Sequence, residues 1–177
     1  MTAVHEHVPI EAAALRKVCG HFATGVTVIT SGTGERASGT TVNSFTSVSL
    51  APPLVLFCLH KESRLRALVD EYGTFVVNLL ARPQERIAWA FAGRETALIR
   101  DVPHDVTSSG LPILAGALAF LGCRTVNEID GGDHCIYLGH VEELGVLKSA
   151  QEPLIFFRGL MGALADDPRT TLPIWDG

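Results

Sequence analysis

Residues 39–64 read GTTVNSFTSVSLAPPLVLFCLHKESR, and the reading of this stretch decides the fold. Its first half is dense in small hydroxyl and amide residues: Thr40, Thr41, Asn43, Ser44, Thr46, Ser47 and Ser49. A plain core strand does not tolerate that density, because each buried hydroxyl needs a hydrogen-bonding partner. The half therefore reads as a strand edge that holds something polar. Pro52 and Pro53 are expected to stop regular pairing, and Leu54–Leu59 is an uninterrupted apolar run of the kind found in a strand buried on both faces. At His60 and Lys61 the run breaks, and a helix restarts with Ser63 as N-cap and Leu65, Leu68, Val69 and Tyr72 on one face. A helix start flanked by Lys61, Arg64 and Arg66 suits an anion, since free N–H groups, the helix dipole and cationic side chains converge there. The composition is equally compatible with a polar strand edge followed by an ordinary capped helix.

Upstream, residues 1–9 read as a loose arm, and helical periodicity starts near Ile10 with Leu15, Val18, Cys19 and Phe22 on one face. Gly25 opens the β-branched strand VTVITS, and Gly32 and Gly34 turn the chain into a hairpin partner at 36–44. That turn formally fits a GxGxx(G/A) dinucleotide fingerprint. The fingerprint works only where a helix follows to hold the pyrophosphate, and here a strand is expected. Downstream, TFVVNLL (74–80) is a strand carrying Asn78. Pro83 opens a helix with Ile87, Trp89, Ala90 and Phe91, closed by Gly93. Residues 94–110 have no clean period and read as a mobile surface excursion or a ligand flank. Strands follow at 113–128, 134–146 and 154–164, the first two joined by an Asp130-Gly131-Gly132 turn, and the tail carries Trp175. Strands with helices inserted between the early ones imply a mainly β chain with peripheral helices, a barrel rather than a doubly wound sheet.

At 177 residues, 47% hydrophobic and 19% charged, the chain is expected to be one domain, 10–166, with a C-terminal tail at 167–177. A net charge of −5 gives no basic footprint for nucleic acid. No basic-then-apolar leader and no bilayer-length apolar run is present, so no membrane role and a cytoplasmic location are expected. Cys19, Cys58, Cys123 and Cys135 lack paired spacing and read as reduced, buried fillers. No metal is expected. His134 and His140 would lie about 20 Å apart on an extended strand, and His5 and His7 sit in the arm.

Five segments together resemble, in order and spacing, the flavin reductase-like family: FATGVTVIT (22–30), TVNSFTSVSLAPPLVLFCL (41–59), FVVNLL (75–80), GALAFLGC (116–123) and GGDHCIYLGHV (131–141). The resemblance implies an FMN-binding split barrel, homodimeric, that takes FMN or FAD and NADH or NADPH and passes reduced flavin to a partner flavin-dependent monooxygenase. Matched residue by residue, it places the flavin ring and ribityl chain along Thr41, Val42, Asn43, Ser44, Ser47, Val48 and Ser49. It surrounds the phosphate with Cys58, Leu59, His60, Lys61, Ser63 and Arg64. It sets His134, the catalytic candidate, beside the nicotinamide, with Phe157, Arg158 and Gly159 lining the same pocket. Two departures stand out: Met161 where the family often has an aromatic, and no Asp-Lys-Phe segment between Arg94 and Arg100.

The chemistry implied is hydride transfer, in which the protein holds two rings at roughly 3 to 3.5 Å and stabilises developing charge with neutral donors. Two other uses fit the same segments: a flavoprotein that retains its flavin and oxidises an organic substrate, and a non-catalytic flavin-binding module.

Overall fold

β-Branched and aromatic runs punctuated by Gly and Pro dominate the chain, and in the computed structural model they form strands. The structure describes residues 9–94, 97–147 and 151–164. The strands are β1 Thr24–Gly25, β2 Thr27–Ser31, β3 Ser38–Val42, β4 Thr46–Leu50, β5 Pro53–His60, β6 Thr74–Leu79, β7 His104–Val106, β8 Pro112–Leu114, β9 Ala119–Gly131, β10 His134–Val146, β11 Ile155–Phe157 and β12 Leu160–Gly162. Helix α1 Ala12–Cys19 precedes the strands, and α2 Arg64–Tyr72 and α3 Glu85–Trp89 sit between them. The expected arm and tail, with His5, His7 and Trp175, lie outside the described residues.

Seven strands pair antiparallel in the order β3-β2-β6-β9-β10-β5-β4. One core joins Ile29 of β2, Phe75 and Val77 of β6, Cys123 of β9, Tyr137 of β10 and Phe57 of β5, with Val42 of β3 packed against it. Strands from both halves of the sheet share that core, so the sheet curls round as the expected barrel does. Leu65 and Val69 of α2 fill the same interior. Phe57 lies edge-on to Phe75 and stacked with Tyr137, with centroids 4.7 and 5.4 Å apart. A small sheet, β1-β11-β12, and the β7-β8 hairpin complete the structure.

Asn78 explains itself as a buried cross-brace. Its amide donates to the Val28 carbonyl at 3.0 Å and to Thr30 Oγ1 at 3.2 Å, and its Oδ1 accepts from the Leu114 N–H at 2.8 Å. After the Gly32–Gly34 turn the chain enters β3, so the dinucleotide fingerprint has no helix to work with. Among the described residues no His/Cys/Asp/Glu group suited to a metal occurs, and no helix is long and apolar enough to cross a membrane.

Several expectations need correction. β5 is buried on one face: Val55, Phe57 and Leu59 are enclosed, whereas Leu54, Leu56 and Cys58 are half-buried. An uninterrupted apolar run has no period by which one buried face can be told from two. Pro52 and Pro53 do not stop the pairing, since Leu50 pairs with Pro53 across the turn; a proline at the first position of a strand forfeits no ladder bond. The 113–128 segment is two strands, separated where Gly116 takes φ +81°. The 94–110 excursion is folded in its described part, with Ile99 buried and β7 paired to β8. Cys19 is exposed and Cys58 half-buried, while Cys123 and Cys135 are buried, and all four are free. Burial pushes the Cys123 thiol up to about 12 and makes it inert. Helix α1 exists, but none of its residues is buried, and Leu15 and Val18 are 57% and 64% exposed. Periodicity shows that a face is apolar without showing what covers it.

Candidate functional site

Polar residues of 39–44 follow β3, the edge strand beside α3, and their hydroxyls turn out to brace it. Thr41 Oγ1 donates to the Ala88 carbonyl at 2.7 Å, and Thr40 Oγ1 lies 3.4 Å from the Phe91 carbonyl. Ser44 Oγ accepts from the Cys58 N–H at 2.9 Å, which ties the β3–β4 loop to β5. These hydroxyls bond to main chain. The Asn43 amide donates to Thr24 Oγ1 at 3.2 Å, leaving its carbonyl oxygen free. Ser47, Val48 and Ser49 lie on β4 at the end of the sheet, with Val48 46% exposed. The Ser47 and Ser49 hydroxyls have no hydrogen-bond partner among the described residues.

An open cleft nevertheless runs along β3. One part is a pocket of about 160 Å³ in which Thr41, Val42 and Asn43 face Trp89, Phe156 and Met161. Among the described residues no ionisable side chain lines it. Such a pocket can hold a flat, partly polar ring by packing and neutral hydrogen bonds, and it supplies no general acid or base. The second part is a cleft of about 520 Å³ lined by Thr40, Ser63, Arg64, Phe91 and Gly93 among others. Here Ser63 takes the N-cap position of α2 as expected, but its hydroxyl makes no capping bond. Arg64 is exposed and forms no ion pair with another described residue. A free helix N-terminus, an uncommitted hydroxyl and an unpaired guanidinium are the elements of an anion seat. Ala92 lines both parts, so the two adjoin at that residue.

The remaining candidates fall elsewhere. Lys61 is engaged with Asp130 at 2.7 Å, a hydrogen bond that raises the ammonium pKa and fastens the end of β5 to the β9–β10 turn. Leu59 is buried in the core, and His60 accepts from the Glu62 N–H at 3.2 Å. His134 pairs in register with His60, their rings 5.2 Å apart and edge-on, and its Nδ1 lies 2.7 Å from Asp133 Oδ1. That hydrogen bond holds the Asp133 carboxyl below its usual range. No hydrogen bond, ion pair or ring contact joins His134 to Phe157, Arg158 or Gly159 among the described residues; these three are at the β11–β12 turn. Sequence reasoning passed over Trp89 and Phe156 as pocket walls. The usable signal was Met161, the family departure, which does line the pocket.

The domain described as "Flavin reductase like domain" matches residues 19–165. The chain is 37% identical over 158 residues to the reductase subunit HsaB of a flavin-dependent monooxygenase from Rhodococcus jostii, covering 89% of this chain and 80% of that one. It is 37% identical over 155 residues to the NADH-dependent FMN reductase AsuE2 of Streptomyces nodosus subsp. asukaensis, covering 85% and 84%. Among solved structures, the Streptomyces globisporus NADH:FAD oxidoreductase SgcE6, in complex with NAD and FAD fragments, superimposes with a TM-score of 0.85. Its identity is 38%, over 93% of this chain and 99% of that one.

Proposed function

The chain belongs to the flavin reductase-like family, and from that premise we propose that it is an NADH-dependent reductase of FMN or FAD serving a partner flavin-dependent monooxygenase in the cytoplasm. The observation that supports this most directly is the pair of adjoining pockets along β3, one at Thr41–Asn43 with no ionisable lining among the described residues and one that includes the unpaired Arg64 at the start of α2. Flavin, when bound, supplies the hydride acceptor. The chain's own part is positional. Trp89, Phe156 and Met161 exclude water and pack against ring faces, while Asn43 and the β3 main chain orient the ring edge. Arg64 and the α2 N–H groups hold the phosphate. His134, hydrogen-bonded to Asp133, is proposed for the nicotinamide amide although it lines neither part of the cleft.

Purified protein given NADH and either FMN or FAD should consume NADH at rates saturable in both substrates. Absence of NADH oxidation with both flavins would overturn the reading.

The working unit in this proposal is a homodimer. Residues of β5 and β10 that point away from the core meet in register as Ile136 with Cys58 and Leu138 with Leu56, and Ile129 of β9, 45% exposed, extends the row. His140 on the same face has a buried Nδ1 without a hydrogen-bond partner among the described residues. With the uncovered apolar face of α1, this leaves the monomer two apolar surfaces that a second copy could cover. Sedimentation should therefore show a dimer, and Leu56→Asp should yield folded monomer with flavin-reductase activity down at least ~10-fold. A monomeric parent protein refutes the dimer.

A further inference from the structure

Between α1 and the β11–β12 turn lies a cavity of about 440 Å³ whose walls include Arg16, Lys17, His21 and Arg158. In a chain of net charge −5 this is a local reversal of sign. None of the three permanent cations forms an ion pair among the described residues. Ala13, Arg16, Lys17 and Gly20 follow the i, i+3, i+4, i+7 stripe of α1 and face this cavity, whereas Leu15, Val18 and Phe22 fall on a different stripe.

The fold holds these cations in place. Phe157 pairs with Leu160 across a two-residue turn in which Arg158 and Gly159 take φ +52° and +83°. Asn-Gly or Gly-Gly is the ordinary choice for such a turn, and an arginine at its first position is conformationally disfavoured. The Arg158 N–H donates to the Gly20 carbonyl at 2.8 Å, pinning the turn to the end of α1, and the guanidinium stands over the Phe157 ring at 5.7 Å.

Phe156 lines both this cavity and the ring pocket, just as Ala92 lines both the ring pocket and the Arg64 cleft. The three spaces thus follow one another, with an uncharged ring slot between two cationic ends. A flavin with its phosphate at Arg64 leaves the other end unused. FAD does not reach it by that route, because its pyrophosphate is attached to the ribityl phosphate and stays at the Arg64 end. A second nucleotide whose ring stacks in the same slot brings its own phosphates. We propose that Arg16, Lys17 and Arg158 seat the pyrophosphate of the nicotinamide dinucleotide. This assignment rests on the reading that the ring pocket takes flavin.

The test compares the unaltered protein with the double variant Arg16→Gln/Lys17→Gln and with Arg158→Gly, which suits the positive φ. At saturating FMN, the KM for NADH should rise ~10-fold or more, as expected when charge-assisted contacts are lost, with the KM for FMN and the melting temperature unchanged. ADP-ribose, which keeps the pyrophosphate and lacks the nicotinamide, should bind the unaltered protein in calorimetry and bind the variants correspondingly less well. An unchanged KM for NADH overturns the proposal, as does failure of the unaltered protein to bind ADP-ribose. A rise in the KM for FAD with that for NADH unmoved also overturns it, by giving the cavity to the flavin adenylate. Failure of the unaltered protein to oxidise NADH would sink the parent reading, whereas ADP-ribose binding that weakens in the variants would still uphold the cavity.

Discussion

Gly139→Ala is expected to lower the melting temperature by roughly 10 °C at fixed protein concentration, the largest stability effect of a single methyl group in this chain. A Cβ on Gly139 would lie 2.3 Å from Phe75 Cζ and 2.9 Å from its Cε1, with Cys123 Cβ at 3.2 Å. Phe75 has no room to withdraw, because it is fully buried and lies edge-on to Phe57 at 4.7 Å. Overpacking ordinarily costs about 1–3 kcal/mol, and a rigid ring at this distance should put the cost at or above the upper end. For a chain of this size each kcal/mol moves the midpoint by about 2–4 °C. Gly25→Ala is the matched control, since a Cβ there meets nothing within 4 Å and no positive φ is involved. Adding Phe75→Leu to Gly139→Ala should recover part of the loss, a coupling that independent sites would not show. A midpoint for Gly139→Ala within about 2 °C of the parent would refute the close packing of β10 on β6.

Arg64→Glu should raise the KM for FMN about 100-fold and leave folding intact. Leu65 and Val69 are the residues of α2 that pack inward, whereas Arg64 is exposed and unpaired, so no internal contact is lost. The reversal replaces attraction by repulsion at a distance where two unit charges interact by about 4 kcal/mol at an effective dielectric of 20. It also places a carboxylate at the helix N-terminus, where its charge competes with the phosphate for the free N–H groups. Riboflavin, which has the ring and ribityl chain without the phosphate, separates binding at Arg64 from general damage: its turnover should be nearly unchanged. An FMN KM within about two-fold of the parent, or an equal loss with riboflavin, would remove Arg64 from the phosphate seat.

Much of the architecture was legible because its signals are local. The β-branched run at Thr27–Ser31, the Asp-Gly-Gly turn leading to His134, Ser63 at an N-cap and Gly93 after the third helix each depend on residues close together in the chain. The site was legible in composition more than in contact. The hydroxyl-rich stretch does border the cleft, yet Thr41 and Ser44 bond to Ala88 and Cys58, residues whose proximity only the closed sheet creates. Lys61 reads as an unpaired cation until Asp130, remote in sequence, is brought to 2.7 Å. Trp89, Phe156 and Met161 come from separate elements, and no spacing rule announces that they share a pocket.

By itself, the sequence determined most of the strand and helix segments, that an apolar interior exists, and that a polar border precedes Leu50. Periodicity and turn chemistry act over a few residues and need no knowledge of the rest of the chain. Only the tertiary structure decided which hydroxyls are spent on the main chain, which cations stay unpaired among the described residues, and that a pocket lies between Arg64 and the Arg16, Lys17 and Arg158 cluster. A hydrogen bond or an ion pair is a property of two groups at about 3 Å, and such distances between remote residues are set when the sheet curls and the helices dock.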